Sequence, residues 1–241
     1  MSEPHAKLDR LKIFADGAAL APMLELARDP RIAGFTTNPT LMRKAGISDY
    51  RAFAREVLAA IRDKPISFEV FADDWAEMKR QAREIATWGD NVYVKIPITN
   101  TKREPAIPLV RELSAAGVKL NVTAICTLEQ VRETAEALRD GAPSVVSVFA
   151  GRIADTGRDP VPLMREALSI CRAVDRRTEL LWASPRELLN IVQAAEIGCD
   201  IITVTNDLLA KLPTLGKDLG QFSLETVQMF HRDAEACGFK L

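Results

Sequence analysis

Short runs rich in Val, Ile and Phe alternate with amphipathic stretches along almost the whole chain. These runs are too continuously apolar for half-solvated strands and are typical of parallel strands whose faces are covered by helices. The predicted strands are Leu11–Ala15, Ile32–Thr36, Ile66–Phe71, Val92–Ile98, Val118–Ile125, Ser144–Phe149, Thr178–Ala183 and Asp200–Val204. They recur about every 27 residues, which is the length of one strand-plus-helix unit.

The stretches between the strands carry apolar residues at helical spacing. The clearest predicted helices are Asp73–Trp88, Leu128–Leu138 and Pro185–Ile197. Three glycines stand between a predicted helix and the next predicted strand, where a left-handed residue often ends a helix. They are Gly117, Gly141 and Gly198.

Eight such units without an intervening Pro/Gly/Ser-rich linker predict one α/β domain over residues 1–241, a closed (β/α)8 TIM barrel. An open doubly wound sheet is the alternative, and the equal spacing of the units favours closure. A further amphipathic segment, Ser223–Gly238, predicts an extra C-terminal helix. Packing on its own barrel and contact with a neighbouring subunit explain the apolar face of this helix equally well.

The charge balance excludes two classes of partner. With 32 Lys+Arg against 33 Asp+Glu and a net charge of -1, the chain has no basic surface for nucleic acid or for an anionic membrane. It contains no run of about 18 apolar residues that could span a bilayer. The polar first twelve residues lack the apolar core of a signal peptide, so we expect a cytoplasmic protein.

Cysteine and histidine usage limits the available chemistry. The 4 cysteines are widely spaced and form no CxxC pair, and the chain has only 2 histidines. A zinc site built on histidine is therefore not expected. We expect the chemistry to use lysine, carboxylates, hydroxyls and arginine, without a metal.

Polar residues gather where the predicted strands end, which is where the active site of such a barrel lies. They are Asp16, Thr36, Thr37, Asn38, Glu69, Lys95, Asn121, Thr123, Ser147, Arg152, Ser184, Arg186, Thr205 and Asn206. This placement predicts one site at the C-terminal mouth of the barrel.

Lys95 is the most informative of these residues, because it interrupts a strand that is otherwise apolar on both faces. Burial disfavours the charged form of an amine, and a free amine attacks a carbonyl carbon to form a Schiff base. The alternative is a lysine that pairs with Glu69 or Asp16 at the barrel rim. These two carboxylates could likewise divide acid and base work, or cap nearby turns.

Neutral polar side chains suit binding more than proton transfer. Asn121, Thr123 and Ser147 could orient substrate hydroxyls or a water, or make routine internal hydrogen bonds. A second group lies after the sixth and seventh strands.

In that second group, Arg152, Ser184 and Arg186, with a helix beginning near Pro185, could hold a dianion. The alternative is that these are ordinary surface arginines. With Lys95 they predict a small basic pocket suited to a sugar phosphate.

Seven segments carry a family resemblance across nearly the whole chain. They are Phe14-Ala15-Asp16, Thr36-Thr37-Asn38-Pro39-Thr40-Leu41, Ser67-Phe68-Glu69-Val70, Val94-Lys95-Ile96-Pro97, Leu120-Asn121-Val122-Thr123, Ser147-Val148-Phe149-Ala150-Gly151-Arg152 and Ala183-Ser184-Pro185-Arg186. In this order the chain resembles the transaldolase family. Its short length resembles the compact subfamily that also contains fructose-6-phosphate aldolases.

The resemblance implies a Schiff-base mechanism without metal or organic cofactor. Lys95 would attack the ketone carbon of a phosphorylated ketose, Glu69 would move protons through a water held by Thr123, and Asp16 would take the hydroxyl proton beside the bond to be cut. The implied substrate-binding residues are Asn38, Thr37, Asn121, Ser147, Phe149, Arg152, Ser184 and Arg186. The resemblance also implies a homo-oligomer, built on pentamers and often decameric.

Two residues distinguish transfer from simple cleavage. The aldolase branch usually has glutamine at the position of Glu69 and tyrosine at that of Phe149, so both match the transaldolase pattern. The resemblance therefore implies transfer of a dihydroxyacetone unit from fructose 6-phosphate or sedoheptulose 7-phosphate to erythrose 4-phosphate or glyceraldehyde 3-phosphate, in the non-oxidative pentose phosphate pathway. The alternatives are a fructose-6-phosphate aldolase-type lyase and a non-catalytic sugar-phosphate-binding barrel.

Three residues depart from the family pattern. They are Gly17, Val148 and Trp182. Trp182 replaces a small residue next to the implied phosphate site, so it is expected to alter the choice of donor sugar.

Overall fold

The structure, a computed structural model, describes residues 8–238. The chain divides into two compact units, of which the first ends at Leu209 and the second begins at Ala210. The barrel occupies the first unit. Among the described residues, no helix is long and apolar enough to cross a membrane.

Eight parallel strands close into a barrel in sequence order, so the prediction of a (β/α)8 TIM barrel is confirmed. The strands are β1 Lys12–Asp16, β2 Ile32–Thr36, β3 Ile66–Glu69, β4 Val92–Pro97, β5 Leu120–Ile125, β6 Ser144–Val148, β7 Thr178–Trp182 and β8 Ile201–Thr205. The predicted bounds differ from these by two residues or fewer at each end. Pairing of β8 with β1 closes the ring and leaves no free sheet edge.

Both faces of the strands are buried, as the continuous apolar runs require. Inside the barrel, Phe14, Val145, Leu181, Ala183 and Ile201 pack into one cluster. Two of its members, Leu181 and Ala183, stand at the C-terminal end of β7, beside the polar residues of the strand ends. The interior is therefore a packed core with an open polar mouth at one end.

Ten helices lie within the described part of the first unit. They are α1 Leu20–Ala27, α2 Pro39–Lys44, α3 Tyr50–Ala60, α4 Trp75–Ala86, α5 Ile107–Ala115, α6 Leu128–Leu138, α7 Ala150–Ala154, α8 Pro160–Val174, α9 Leu189–Ile197 and α10 Asn206–Leu209. Side-chain caps fix several starts. In α6, for example, Thr127 and Gln130 form a reciprocal capping box.

The number of helices exceeds the eight predicted, because the connections after β2 and β6 each contain an additional short helix. Asn38 caps α2 by accepting a hydrogen bond from the backbone N–H of Leu41, and Pro39 starts the helix. α7 begins directly after Phe149. Both short helices start at the C-terminal mouth of the barrel and carry predicted site residues with them.

The predicted helix start at Pro185 is wrong. α9 begins at Leu189, and the preceding residues form a turn in which the Asn190 side chain accepts the backbone N–H groups of Arg186 and Glu187. Asn190 thus holds this connection away from helical geometry. The helix that follows Ser184 in the chain therefore does not begin directly beside it.

Of the three predicted left-handed glycines, two are confirmed. Gly117 has a φ of 85° and Gly198 a φ of 75°. At the third position Asp140, with a φ of 58°, takes the left-handed conformation instead. Gly141 is required for a different reason, because a Cβ there would lie 1.9 Å from the Ser114 hydroxyl oxygen.

The second unit contains a single-turn 3-10 helix, Leu212–Thr214, and the long helix α11, Leu219–Cys237. The helix starts four residues before the predicted Ser223, because Asp218 caps it through the backbone N–H of Gln221. Gly238 ends it with a φ of 64°. The large apolar side chains of α11 are exposed; they are Leu219, Phe222, Leu224, Val227, Met229 and Phe230.

Candidate active site

A cavity of about 450 Å³ opens at the C-terminal ends of the strands. The family resemblance gave a catalytic or binding role to twelve residues, and ten of them line the cavity: Asp16, Asn38, Glu69, Lys95, Asn121, Thr123, Ser147, Phe149, Arg152 and Ser184. Thr37 and Arg186 do not. The lining carries two cations and two carboxylates, so the expectation of a basic pocket is wrong.

Lys95 projects from β4 into the cavity and is 6% exposed. Its Nζ donates to the backbone carbonyl of Thr37, 2.8 Å away, and lies 3.1 Å from Oε2 of Glu69 on β3. Glu69 and Lys95 are register partners on adjacent strands, which brings their side chains together. The amine is thus held in place with an acceptor for one of its protons at hydrogen-bond distance.

Asp16 ends β1 on the other side of the cavity. Burial raises the pKa of this carboxyl, while the positive charge of Lys95 and a hydrogen bond from Thr36 oppose the rise. Thr36 donates its hydroxyl to Oδ1 at 2.8 Å. Asp16 is therefore a carboxyl group with a raised pKa in a low-dielectric site, which suits a group that accepts a proton.

Asn121, Ser147 and Ser67 form a buried chain across the barrel. Asn121 donates its Nδ2 to Ser67 Oγ at 3.0 Å, and Ser147 donates its hydroxyl to Asn121 Oδ1 at 2.6 Å. All three side chains are almost fully buried. The network fixes which way the Asn121 amide faces, so the polar floor of the cavity is rigid.

Thr123 has the one buried hydroxyl of the lining that has no hydrogen-bond partner among the described residues. A buried hydroxyl without a partner costs free energy, so this oxygen is suited to hold a water in the cavity. The next residue, Ala124, also lines the cavity and has a φ of 63°, which is strained for alanine.

Thr37 supports the site without lining it. Its side chain is fully buried and donates a hydrogen bond to the backbone carbonyl of Ser67 at 2.8 Å, while the backbone carbonyl of Thr37 accepts the hydrogen bond from Lys95. The structure thus places Thr37 beneath the lysine. The position of Thr37 fits a structural role in holding the amine.

The far end of the cavity is formed by the turns after β6 and β7. Gly151 approaches Ser184 so closely that a Cβ would lie 1.5 Å from the Ser184 carbonyl oxygen. The backbone N–H of Gly151 donates to Ala183 at 3.3 Å, and Ser184 adopts a φ of 58°. This packing brings Arg152, which lines the cavity, next to Ser184.

Arg186 is directed elsewhere. Its guanidinium makes a bidentate ion pair with Asp155, with Nε 2.9 Å from Oδ1 and Nη2 2.5 Å from Oδ2. The hydrogen bonds from Arg186 hold the pKa of Asp155 below its ordinary value. Both side chains are about half exposed, and such a pair contributes little stability.

The family is decided by a comparison with known protein families. A family model described as transaldolase/fructose-6-phosphate aldolase matches residues 13–241. The chain belongs to this family. Its relatives include a protein named probable transaldolase from Dehalococcoides mccartyi, 37% identical over 202 residues that cover 84% of this chain and 90% of the relative. A probable transaldolase from Methanococcus maripaludis is likewise 37% identical, over 84% of this chain and 89% of its own length.

Solved structures at low sequence identity share the fold. A 3-hexulose-6-phosphate synthase from Salmonella typhimurium superposes with a TM-score of 0.56 at 15% identity, covering 83% of this chain and 90% of its own. A HpcH/Hpal aldolase/citrate lyase family protein from Burkholderia cenocepacia gives 0.57 at 15% identity, covering 92% and 98%. These likenesses show the barrel fold alone.

The departures from the transaldolase pattern lie outside the cavity lining. Leu181 faces the barrel interior, so its neighbour Trp182 points outward and is fully buried. Val148, between the cavity residues Ser147 and Phe149, is outward in the same way. The side chain of Trp182 therefore does not line the cavity, and its effect on the choice of donor sugar stays a prediction.

The lining residues to which sequence reasoning gave no role include two with hydroxyl groups, Thr40 and, on β8, Thr203. The hydroxyl of Thr203 contacts that of Thr36, which was noted only as a polar strand-end residue. The available signal was the position of Thr203 two residues after inward-facing Ile201, which assigns it to the barrel interior. A hydroxyl at an inward position of an apolar strand is a candidate site residue.

Proposed function

We propose that the protein is a transaldolase that transfers a dihydroxyacetone unit between sugar phosphates through a Schiff base on Lys95. The donor is fructose 6-phosphate or sedoheptulose 7-phosphate and the acceptor erythrose 4-phosphate or glyceraldehyde 3-phosphate, as in the non-oxidative pentose phosphate pathway. The observation that carries the proposal is the buried Lys95 amine, which faces the cavity with Glu69 at 3.1 Å.

The first stage forms the covalent intermediate. Glu69 accepts a proton from Lys95, and the free amine adds to the ketone carbon of the donor to give a carbinolamine. Glu69 then returns a proton, through a water on the Thr123 hydroxyl, to the departing oxygen. Loss of water leaves a protonated imine on Lys95.

The second stage cuts the carbon–carbon bond. Asp16 takes the proton of the hydroxyl on the carbon beyond that bond, and the bonding electrons move into the protonated imine to give an enamine. The aldehyde fragment leaves. An acceptor aldehyde then receives the enamine carbon, and Asp16 returns its proton to the new hydroxyl.

Binding groups hold the rest of the sugar. Asn38, Asn121 and Ser147 meet the hydroxyls of the three-carbon unit, and Arg152 with Ser184 meets the phosphate. Arg186 reaches the phosphate only by leaving Asp155, which an exposed pair does at small cost. Phosphate binding far from the reacting carbons supplies orientation.

Phe149 favours transfer over hydrolysis. Its ring lines the cavity and packs on the apolar cluster of the barrel interior, and it offers no hydroxyl to direct a water onto the enamine. The dihydroxyacetone unit bound to Lys95 therefore stays on the lysine until an acceptor sugar enters the cavity. A lyase of the aldolase type would release free dihydroxyacetone instead.

An assay with and without acceptor tests the proposal. Fructose 6-phosphate with erythrose 4-phosphate should give glyceraldehyde 3-phosphate and sedoheptulose 7-phosphate. Fructose 6-phosphate alone should give little free dihydroxyacetone. Equal release of dihydroxyacetone in both reactions would replace the transferase with the lyase, and no reaction in either would favour a non-catalytic binding barrel.

We further propose that α11 mediates a homo-oligomer built on pentamers. One face of this helix carries Leu219, Phe222, Val227 and Phe230, which are between 47% and 80% exposed. Exposed apolar surface of this kind is typical of an interface. Light scattering should give a mass of five or ten chains, and Phe222→Ser with Phe230→Ser should lower it; a monomeric wild type would contradict the proposal.

A further inference from the structure

The base of the proposed reaction, Asp16, receives its hydrogen bond from one end of a two-hydroxyl chain. Thr36 on β2 donates to Oδ1 of Asp16 at 2.8 Å. The same Thr36 oxygen is in hydrogen-bond contact with the hydroxyl of Thr203 on β8. Thr36 and Thr203 are 2% and 6% exposed, so bulk water does not compete for these bonds.

The contact between the two threonines is not an ordinary cross-strand pair. β2 and β8 are both neighbours of β1 and do not pair with each other. Asp16 pairs in register with Thr36 on one side and with Thr205 on the other, and Thr203 lies two residues before Thr205 on the same face. The hydroxyls therefore meet inside the barrel, across β1.

Proton counting gives the chain a direction. Each threonine hydroxyl has one proton, and an ionised carboxylate can only accept. When Asp16 is ionised, Thr36 donates its one hydroxyl proton to Oδ1 in a hydrogen bond. The proton between Thr36 and Thr203 must then come from Thr203.

We propose that Thr203 is a positioning residue that acts through Thr36 to keep Asp16 ionised and ready to accept the substrate proton. Thr203 fills an acceptor site of Thr36, which polarises the Thr36 hydroxyl and directs its proton at Oδ1. Thr36 occupies Oδ1 and Asp16 lines the cavity, which leaves Oδ2 to accept the substrate proton. This role rests on the proposed function of Asp16 as the base.

Other groups around Asp16 also act on its charge. Lys95 on β4 stabilises the carboxylate, while burial and Glu69 on β3 oppose it. The short helix α10, which packs against β1, carries Asp207. None of these groups changes when Thr203 loses its hydroxyl, so a shift in that variant reports on the threonine chain.

A titration of the Asp16 carboxyl by carbon NMR, without substrate, tests the proposal on protein labelled at the aspartate carboxyl carbons. Asp16→Asn identifies the signal. Thr36→Val should raise the pKa of Asp16 by about one unit, the loss expected for one hydrogen bond to a charged group. Thr203→Val should raise it by roughly 0.3 unit, the share that cooperative polarisation contributes.

Two further variants make the test decisive. Thr203→Ser keeps the hydroxyl and should leave the pKa of Asp16 at the wild-type value. In the Thr36→Val background, Thr203→Val should add no shift, because its only route to Asp16 is gone. A Thr203→Val shift that persists in that background would overturn the proposal, as would the absence of a shift in the single variant.

Activity supplies a separate readout. The acid limb of kcat/KM should move to higher pH in Thr203→Val and return in Thr203→Ser. If the wild type shows no turnover, the proposed function fails while the NMR titration still tests the threonine chain. If Thr203→Val fails to fold, Thr203→Ala removes the same hydroxyl and should raise the pKa of Asp16 in the same way.

Discussion

Replacing Thr123 by valine separates catalysis from stability. The Thr123 hydroxyl is 2% exposed and has no partner among the described residues, so the isosteric change breaks no hydrogen bond within that part of the chain. A buried unpaired hydroxyl costs about 1–3 kcal/mol, and a net hydrogen bond to a bound water offsets about 1 kcal/mol of this. We expect Thr123→Val to leave the free energy of unfolding unchanged or to raise it by up to about 2 kcal/mol, measured by urea denaturation.

Activity should respond very differently. A positioned proton-transfer group contributes about 10²–10⁴-fold in rate, so Thr123→Val should lower kcat by about 100-fold or more. A 100-fold loss corresponds to an increase of about 2.7 kcal/mol in the activation free energy. The coupled assay with fructose 6-phosphate and erythrose 4-phosphate measures this loss. Thr123→Ser keeps the hydroxyl and should recover most of the rate.

The chain offers a matched control for this change. Thr134 on α6 also carries a fully buried hydroxyl without a described partner, and it does not line the cavity. Thr134→Val should therefore leave kcat unchanged. Unchanged activity in Thr123→Val, or an equal loss in Thr134→Val, would refute the role of Thr123 in proton transfer.

Three further changes have definite expected outcomes. Since burial raises the pKa of Asp16, the folded state disfavours its charged form, so Asp16→Asn should raise the Tm at pH 7, and this gain should vanish as the pH falls below about 4, the pKa of an unfolded aspartate. Asp155→Asn removes the ion-pair partner of Arg186 and should lower the KM for the phosphorylated donor by up to about five-fold. The KM for dihydroxyacetone as donor should not change. An unchanged KM for the phosphorylated donor would exclude Arg186 from phosphate binding. Phe149→Tyr supplies a hydroxyl in the cavity and should raise release of free dihydroxyacetone without acceptor, and an unchanged ratio of hydrolysis to transfer would show that the ring does not control water.

The barrel and the position of Lys95 follow from the sequence because both depend on regular patterns. Parallel strands that are buried on both faces read as apolar runs, and a lysine in such a run stands out. The structure also reconciles the two interpretations of Lys95, since its amine both contacts Glu69 and faces the cavity. A lysine that pairs with Glu69 is therefore also placed where a substrate in the cavity could reach it.

What the sequence could not predict depends on side-chain direction. In the run Leu180-Leu181-Trp182-Ala183 every residue is apolar and buried, so no alternation reveals which residues face inward. The expectation that Trp182 lies near the phosphate site came only from its place in the chain, directly before Ala183 and Ser184. The ion pair of Arg186 could not be predicted either, because its partner Asp155 lies 31 residues away in another connection.

Trapping of the covalent intermediate tests the central claim most directly. Incubation with fructose 6-phosphate and borohydride should reduce the imine and add the mass of a sugar or three-carbon unit to the peptide that carries Lys95, as measured by mass spectrometry. Lys95→Ala should take up no such mass. An adduct on another lysine, or no adduct in an enzyme that still turns over substrate, would contradict the Schiff-base account.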